Sequence, residues 1–355
     1  MTGSDHLAET DDLGTANLAE AAVAVVIVNY RTPELTKKCV AALSTEKRLL
    51  PKLRAIVVDG GSADGSEAEL APFVAQSEYA SWVSFLPLEL NGGFGWANNQ
   101  AILSLAREPT PPEFVHLVNP DAEVIRGAVA ALARQLQRHP RCGAAGSQLI
   151  DEHGAETASA FRFPSPGREF VDAAQSARLG RALGVTPALV SSKLACEVDW
   201  VTGASVMFRS DALRETGLFD DGFFLYFEEV ELMHRLRSRG WTVRYVPESR
   251  VVHSEGSSTG IGGGRELPSY WYDSRRRYFA LTGGRPAALS AHLASLAGCT
   301  VRWGKSLIGL RARHDVARAG ALLRLGSRAK SDDVHPSVPS WGDPPGKPPA
   351  WMSRR

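Results

Sequence analysis

The sequence predicts an α/β protein, with a mostly parallel central sheet, helices on both faces and a helical C-terminal extension. Three observations carry that prediction. Apolar runs of strand length alternate with stretches of helical periodicity from Val23 onward. The runs are continuously apolar, as strands covered on both faces must be. The residues that break the pattern sit just past the run ends, where an open parallel sheet binds its ligands.

Val23 to Val28 is the first strand. Thr32 can cap and Pro33 can open the helix after it, whose apolar positions Leu35, Cys39, Ala42 and Leu43 share one face. Ala55 to Val58 is the second strand, and Ser66 with Glu69 forms a capping-box pattern for the next helix. Trp82 to Leu88 and Phe114 to Val118 are further strands, separated by a glycine-rich turn at Asn91 to Gly95 and a helix around Ala97 to Ala106. Gly127 to Arg138 is a helix with Val129, Leu132 and Leu136 on one face, ended by Pro140. Asp151 to Lys193, broken by Pro164, Pro166 and Gly167, is expected to form loops or a hairpin. Val198 to Phe208 restores order. A short helix from Asp211, a turn at Gly217, a helix from Glu228 to Arg239 stopped by Gly240 and a strand from Thr242 to Val246 follow.

Composition narrows the classes. The chain has 355 residues, 44% hydrophobic and 22% charged, with 40 Lys and Arg against 39 Asp and Glu, which suits a globular enzyme and excludes a global nucleic-acid footprint. Cys39, Cys142, Cys196 and Cys299 lie far apart without a C-x-x-C pair, so four buried thiols in a reducing compartment are expected rather than a zinc cluster. Residues 1–20 carry Asp5, Glu9, Asp11, Asp12 and Glu20 and no Lys or Arg, the opposite of a targeting peptide, and read as a loose acidic arm on a cytoplasmic protein. No apolar run has the length of a membrane span. Residues 300–330 hold eight basic residues against Asp315, within a basic helical extension over 281–330, and 331–355, rich in Pro, Gly and Ser, read as a disordered tail.

Chemistry-bearing residues follow four successive strands: Asn29, Tyr30 and Arg31; Asp59, Ser62 and Asp64; Gly92, Gly93 and Asn98; Asn119 and Asp121. Asp59, at the end of a buried strand, is placed to accept hydrogen bonds from a base or sugar, while Asp64 suits either a ligand or a turn cap. The glycines allow close backbone approach to a ligand. Asp121 suits a divalent cation on a nucleotide diphosphate, or an Asx turn. Later come Trp200 and Gly203, then Glu228 and Glu229 at a helix start behind an aromatic run, where the helix dipole favours anions and a general base is well placed. His253 is a candidate imidazole ligand or a satisfied core histidine.

Taken in order, VVIVNYRTPE, VVDGGSADGS, LNGGFGWANNQAI, LVNPDAEV, WVTGASVMFRSDAL, GLFDDGFFLYFEEVELMHRLRSRGW and VPESRVVHSEG resemble a family 2 glycosyltransferase of the GT-A fold, in the rhamnosyltransferase-like branch, from about Val23 to Phe279. The resemblance implies a catalytic domain over 21–280, with a nucleotide-sugar half (21–125) and an acceptor half (126–280). It implies that Asn29, Tyr30, Asp59, Ser62 and Asp64 hold base and ribose, and that Gly92, Gly93, Asn98 and Asn119 line sugar and phosphates. Asn119-Pro120-Asp121 stands where the family has its DxD motif, so Asp121 would ligate Mg2+ or Mn2+, with His253 completing the site. Trp200 and Gly203 would shape the acceptor side, and Glu229 would be the base, with Glu228 its rival. Three positions depart from the family pattern: Gly60 stands for a usual Asn, Asn119 for an acid and Glu229 for an Asp.

The implied reaction is an inverting transfer from a nucleotide-diphosphate sugar, dTDP-rhamnose or alternatively a UDP-sugar, to a glycan or polyprenyl-diphosphate-linked acceptor in envelope or exopolysaccharide synthesis. Arg275 to Arg277 are then expected to meet the acceptor diphosphate, and the basic extension an anionic membrane surface. A sugar-phosphate nucleotidyltransferase would carry a basic glycine-rich loop where Asn29 to Pro33 stand. A non-catalytic nucleotide-sugar binder would not need Asp121, Glu228 and Glu229 together.

Overall fold

The computed structural model of the chain describes residues 17–254, 267–307, 334–349 and 351–352. The first half runs β1 (Val23–Asn29), α1 (Pro33–Leu49), β2 (Arg54–Asp59), α2 (Ser66–Val74), β3 (Val83–Pro87), α3 (Phe94–Ala106), β4 (Phe114–Val118), β5 (Ala122–Val124) and α4 (Ala128–Arg138). Then follow β6 (Cys142–Ile150), β7 (Ala160–Phe161), α5 (Pro166–Ala174), α6 (Ala177–Ala182), β8 (Leu189–Val190), β9 (Cys196–Val198), β10 (Trp200–Val201) and β11 (Ser205–Arg209). The last elements are α7 (Ser210–Thr216), α8 (Glu228–Ser238), β12 (Thr242–His253) and α9 (Ser269–Leu307).

One mixed sheet spans both halves in the order β3-β2-β1-β4-β11-β6-β12-β5, with β9 also on β12, and β10-β7-β8 form a small second sheet. Six strands of the large sheet, β1 to β4 with β6 and β12, point one way, and β5, β9 and β11 oppose them. Period-two alternation divides each central strand between two cores. On β1, Val23, Val25 and Ile27 pack with Cys39 and Leu43 of α1, Leu70 of α2 and Leu132 of α4. Ala24 and Val26 face Ile102 of α3, Leu213 of α7 and Leu232 of α8. The continuous apolar run thus reflects burial on both faces.

Several local expectations change. Thr32 precedes α1 and Pro33 opens it, but the Thr32 hydroxyl donates to Asn29 Oδ1 rather than capping the helix. At α2 the capping box does not form. Gly65 takes the cap position at φ 96°, Ser66 is already helical, and Asp64 Oδ1 accepts from the Ser66 backbone (3.0 Å) and hydroxyl (2.6 Å). The expected loop over 151–193 contains α5 and α6, because Pro166 opens a helix behind Ser165, whose hydroxyl accepts from Arg168 N–H at 3.3 Å. The C-terminal helix starts at Ser269, not 281, and breaks at Gly283 and Gly284, the latter at φ 71°.

The expected disordered tail differs most. Residues 334–349 lie along the body: Leu218 N–H donates to Pro339 O, Asp221 N–H to Ser337 O, Gly346 N–H to Gln100 Oε1 and Trp96 Nε1 to Lys347 O. None of the four cysteines is in a disulfide; Cys196 is half-buried and the others are buried. Among the described residues no helix is long and apolar enough to cross a membrane. The acidic arm over residues 1–16 and the basic stretch over 308–330 lie outside the described residues.

Candidate active site

Asn29 and Asp59 end β1 and β2 side by side in register. Asn29 Nδ2 donates to Asp59 Oδ1 (2.7 Å) and Ser62 Oγ (3.2 Å), and its Oδ1 accepts from Thr36 Oγ1 (3.0 Å). Asp59 also accepts from Ser62 N–H (3.1 Å) and Oγ (2.6 Å). The three sequence-selected residues therefore meet in one buried cluster. The Asn29 amide shapes the loops rather than projecting from them. Gly61, at φ 69°, packs where a Cβ would overlap the Leu90–Asn91 backbone, which joins this loop to the next. Tyr30 stays partly exposed beside the Arg31 guanidinium, and Asp64 accepts from the Ser66 backbone and hydroxyl just ahead of α2.

The glycine turn leans on the segment before α8. Gly93, at φ 91°, lies against Phe224 O, which also accepts from Phe94 N–H at 3.1 Å, so any side chain on Gly93 would collide with that carbonyl. Gly92 packs on the Trp96 ring and Gly95 beside Glu228 Cβ. Asn98 donates to Phe94 O (2.9 Å), and its buried Oδ1 has no hydrogen-bond partner. The adjacent Asn99 was not singled out from the sequence, yet it makes the longer-range links. Its Nδ2 donates to Phe219 O and Asp221 Oδ1, both at 2.8 Å, and its Oδ1 accepts from Phe219 N–H at 3.0 Å. One residue along a helix turns a side chain by about 100°, so the two amides serve different directions.

Past β4, Asn119 N–H donates to Ala204 O (2.9 Å). Pairing of β12 with β5 sets His253 opposite Ala122 and brings its Nε2 within 3.3 Å of Asp121 Oδ1. Neither ring nitrogen of the partly buried His253 has a hydrogen-bond partner. A carboxylate and an imidazole so placed fit two ligands of a divalent cation. Among the described residues no third acidic, histidine or cysteine side chain joins them.

Glu228 and Glu229 open α8 behind Tyr226 and Phe227, both left-handed at φ 71° and 68°. Bulky side chains rarely hold that conformation. Two further non-glycine residues at positive φ, Arg31 and Ala63, flank the Asn29 and Asp59 cluster. The acidic pair diverges. Glu228 is buried towards Gly95, whereas Glu229 lines a cavity of about 230 Å³ with Trp200, Tyr226, Phe227, Trp271 and Arg162. Burial pushes both carboxyls above the ordinary range, and the neighbouring Glu229 charge raises Glu228 further, while hydrogen bonds from its own helix start and from Gly203 hold Glu229 back. Glu229 therefore ionises first and Glu228 keeps its proton longer. Gly203 lies against the Phe94 ring and close to Glu229 Oε1, so the expected acceptor-side residue meets the expected base. Trp200 stacks on Phe161 at 4.3 Å and donates Nε1 to Arg162 O at 3.1 Å.

Arg162, Tyr226, Phe227 and Trp271 were missed as pocket residues, although the last three lie in or beside conspicuous aromatic runs. The arginines expected to meet a diphosphate have other partners. Arg275 is buried, donating to Glu169 Oε2 (2.7 Å), Ala291 O (2.9 Å) and Ser295 Oγ (3.0 Å). Arg277 Nη2 donates to both oxygens of the fully buried Asp220 (2.7 and 2.9 Å) and to His335 O (2.9 Å). Arg276 pairs with Asp273 at the surface.

The sequence pattern of the family described as "Glycosyltransferase like family 2" matches residues 20–263. The N-acetylglucosaminyl-diphospho-decaprenol L-rhamnosyltransferase of Mycobacterium tuberculosis is 32% identical over 246 residues, 66% of this chain and 77% of that protein. A low-salt glycan biosynthesis hexosyltransferase of Haloferax volcanii is 20% identical over 66% of this chain and 67% of its own. Among solved structures, a mannosyltransferase of Pyrobaculum calidifontis, in complex with GDP-Man and Mn2+, superposes with a TM-score of 0.51, covering 89% of this chain and 82% of that one at 15% identity.

Proposed function

Since the chain belongs to glycosyltransferase family 2, we propose that it transfers rhamnose from dTDP-rhamnose, with inversion, to a hydroxyl of a sugar carried on a lipid diphosphate. The name of the mycobacterial relative supports this choice of donor and acceptor. One observation carries the catalytic reading: Glu229, with a raised pKa, lines a 230 Å³ aromatic-walled cavity, while the turn before its helix packs on the Gly93 donor loop.

The loops after β1 and β2 hold the nucleotide against the Asn29, Asp59 and Ser62 cluster, with the Asn98 Oδ1 acceptor and the Gly92–Gly93 backbone towards the sugar. The acceptor sugar enters the cavity between Trp200 and Trp271, whose rings exclude water from its face. Its hydroxyl attacks the anomeric carbon from the side opposite the nucleotide. Glu229 takes the hydroxyl proton as the new C–O bond forms and the bond to the diphosphate breaks. Asp121 and His253 would hold Mg2+ or Mn2+, which supplies charge neutralisation for the diphosphate leaving group. A lipid-borne acceptor places the protein at a membrane surface on the cytoplasmic side, without a span among the described residues.

A donor panel tests the reading: release of nucleoside diphosphate from dTDP-rhamnose and UDP-sugars, with and without Mn2+. Faster turnover of a UDP-sugar would replace the donor. Binding without turnover of any donor, in the presence of a lipid-diphosphate sugar, would make the protein a binder rather than a transferase.

A further inference from the structure

We propose that the outer face of the second part of α9, beyond the Gly283–Gly284 break, is a docking surface for an anionic lipid bilayer. From Arg285 to Leu307 this segment rises about 34 Å as a helix. Its inner face packs on α5 through Ser295, Gly298 and Cys299, and Gly298 lies so close to Phe170 O that a side chain there would overlap the carbonyl. The opposite stripe recurs at helical spacing as Leu289, Leu293, Ala297, Thr300, Trp303 and Leu307. Leu289, Leu293, Trp303 and Leu307 are 59, 55, 57 and 67% exposed. That stripe carries no charged side chain, whereas the outer face of a helix on a globular protein is normally its charged face. Four large apolar groups aligned on one exposed face mark a surface that meets something apolar.

Charge selects the occupant. From Arg285 to Leu307 the segment holds three basic residues, Arg285, Arg302 and Lys305, and no acid. A second copy apposed through this stripe would bring two such cationic segments together. A bilayer with anionic headgroups satisfies both requirements, taking up the apolar stripe while its phosphates meet the cations. The uncharged stripe is the surface of an interfacial helix, too polar on its other side to span. The inference rests on the preceding reading for its purpose, access to a lipid-borne acceptor, but its test does not depend on sugar transfer.

The experiment is co-sedimentation of the full chain with vesicles of phosphatidylglycerol and phosphatidylcholine in equal parts, and with phosphatidylcholine alone. The variants are Leu293→Glu/Trp303→Glu in the stripe and Leu194→Glu, an exposed leucine in the β8–β9 connection. Unfolding midpoints verify that these surface changes leave the fold intact. The wild type and Leu194→Glu are expected to pellet with the anionic vesicles and to be released by salt. The double variant should lose about tenfold or more of its partitioning. Unchanged partitioning of the double variant overturns the proposal, as does a wild type that binds neither vesicle. A salt-resistant wild-type dimer that the double variant dissociates, without vesicle binding, assigns the stripe to a second copy and also overturns it. Donor hydrolysis measured without vesicles reports separately on the transferase reading, and its failure leaves the vesicle result standing.

Discussion

Replacing Glu229 by Gln removes one ionisable proton acceptor and almost nothing else. Gln has nearly the same volume, keeps an oxygen for the Gly203 interaction and leaves the walls of the cavity in place. Donor affinity and the acceptor KM should therefore stay within about threefold of wild type, while the transfer rate falls by about 10²- to 10⁴-fold, the usual contribution of a positioned general base. That loss corresponds to about 3 to 5 kcal/mol in the barrier. The raised pKa adds a signed prediction. The wild-type rate must climb with pH through a limb above the ordinary carboxylate range, because Glu229 has to lose its proton before it can accept another. In Glu229→Gln that limb disappears. In Glu228→Gln it persists at the same pH, since Glu228 is still protonated and neutral while Glu229 ionises, and the rate falls by less than about tenfold. The assay is release of nucleoside diphosphate at saturating donor from pH 5 to 9, a range that begins just above the ordinary glutamate value of about 4.3. A Glu229→Gln enzyme within tenfold of wild type, or a Glu228→Gln enzyme that loses more, refutes the assignment.

Asp121→Ala should abolish the gain in nucleotide affinity that Mn2+ confers while leaving metal-free affinity in place, read by titration calorimetry with and without EDTA. Asn99→Ala strips partners from Phe219 N–H, Phe219 O and Asp221, and should lower stability by about 2–4 kcal/mol in urea unfolding. Arg277→Ala leaves Asp220 charged and buried without its main partner, at a cost of about 3–5 kcal/mol by the same measurement. Asp221, raised to about 7 by burial and the adjacent Asp220, binds its proton more tightly folded than unfolded. The stability it contributes is full below about pH 4 and is lost as pH rises through 7, so Asp221→Asn should raise the melting temperature at pH 8 and not at pH 4.

The central sheet was legible because strands buried on both faces leave a signal that owes nothing to their neighbours. Val23 to Ile27 reads as apolar whichever core each residue enters. The candidate site was legible as a set of loops, since Asn29 and Asp59 end strands, Asp121 follows one, and Gly93 and Glu229 stand at helix starts. What escaped depends on distant partners. Glu46 of α1 accepts from the backbone N–H groups of Gly127, Val129 (3.1 Å) and Ala130 (3.2 Å), capping α4 from more than eighty residues away. Choosing between Asn98 and Asn99 needs the rotation of α3 against Phe219. Pro166 read as a breaker because proline both ends and opens helices, and only Ser165 ahead of it decides. Residues 334–349 lack periodicity, so their order comes wholly from carbonyls and side chains of the body.

That last contact sets an order of events during synthesis. Asp220 and Leu218 emerge from the ribosome more than a hundred residues before Ser337 and Pro339, a lag of roughly ten seconds at ordinary elongation rates. Over that interval the sheet, α3 and the turn into α8 can assemble, but the loop carrying Glu228 and Glu229 has no clamp on its outer side. A chain cut before His335 would keep the Asn99 and Arg277 bonds to Asp221 and Asp220 but lose the bonds that Ser337 and Pro339 add to the same loop. The loop ahead of α8 is thus fastened twice, by side chains of α3 and α9 and then by a strap translated more than a hundred residues downstream.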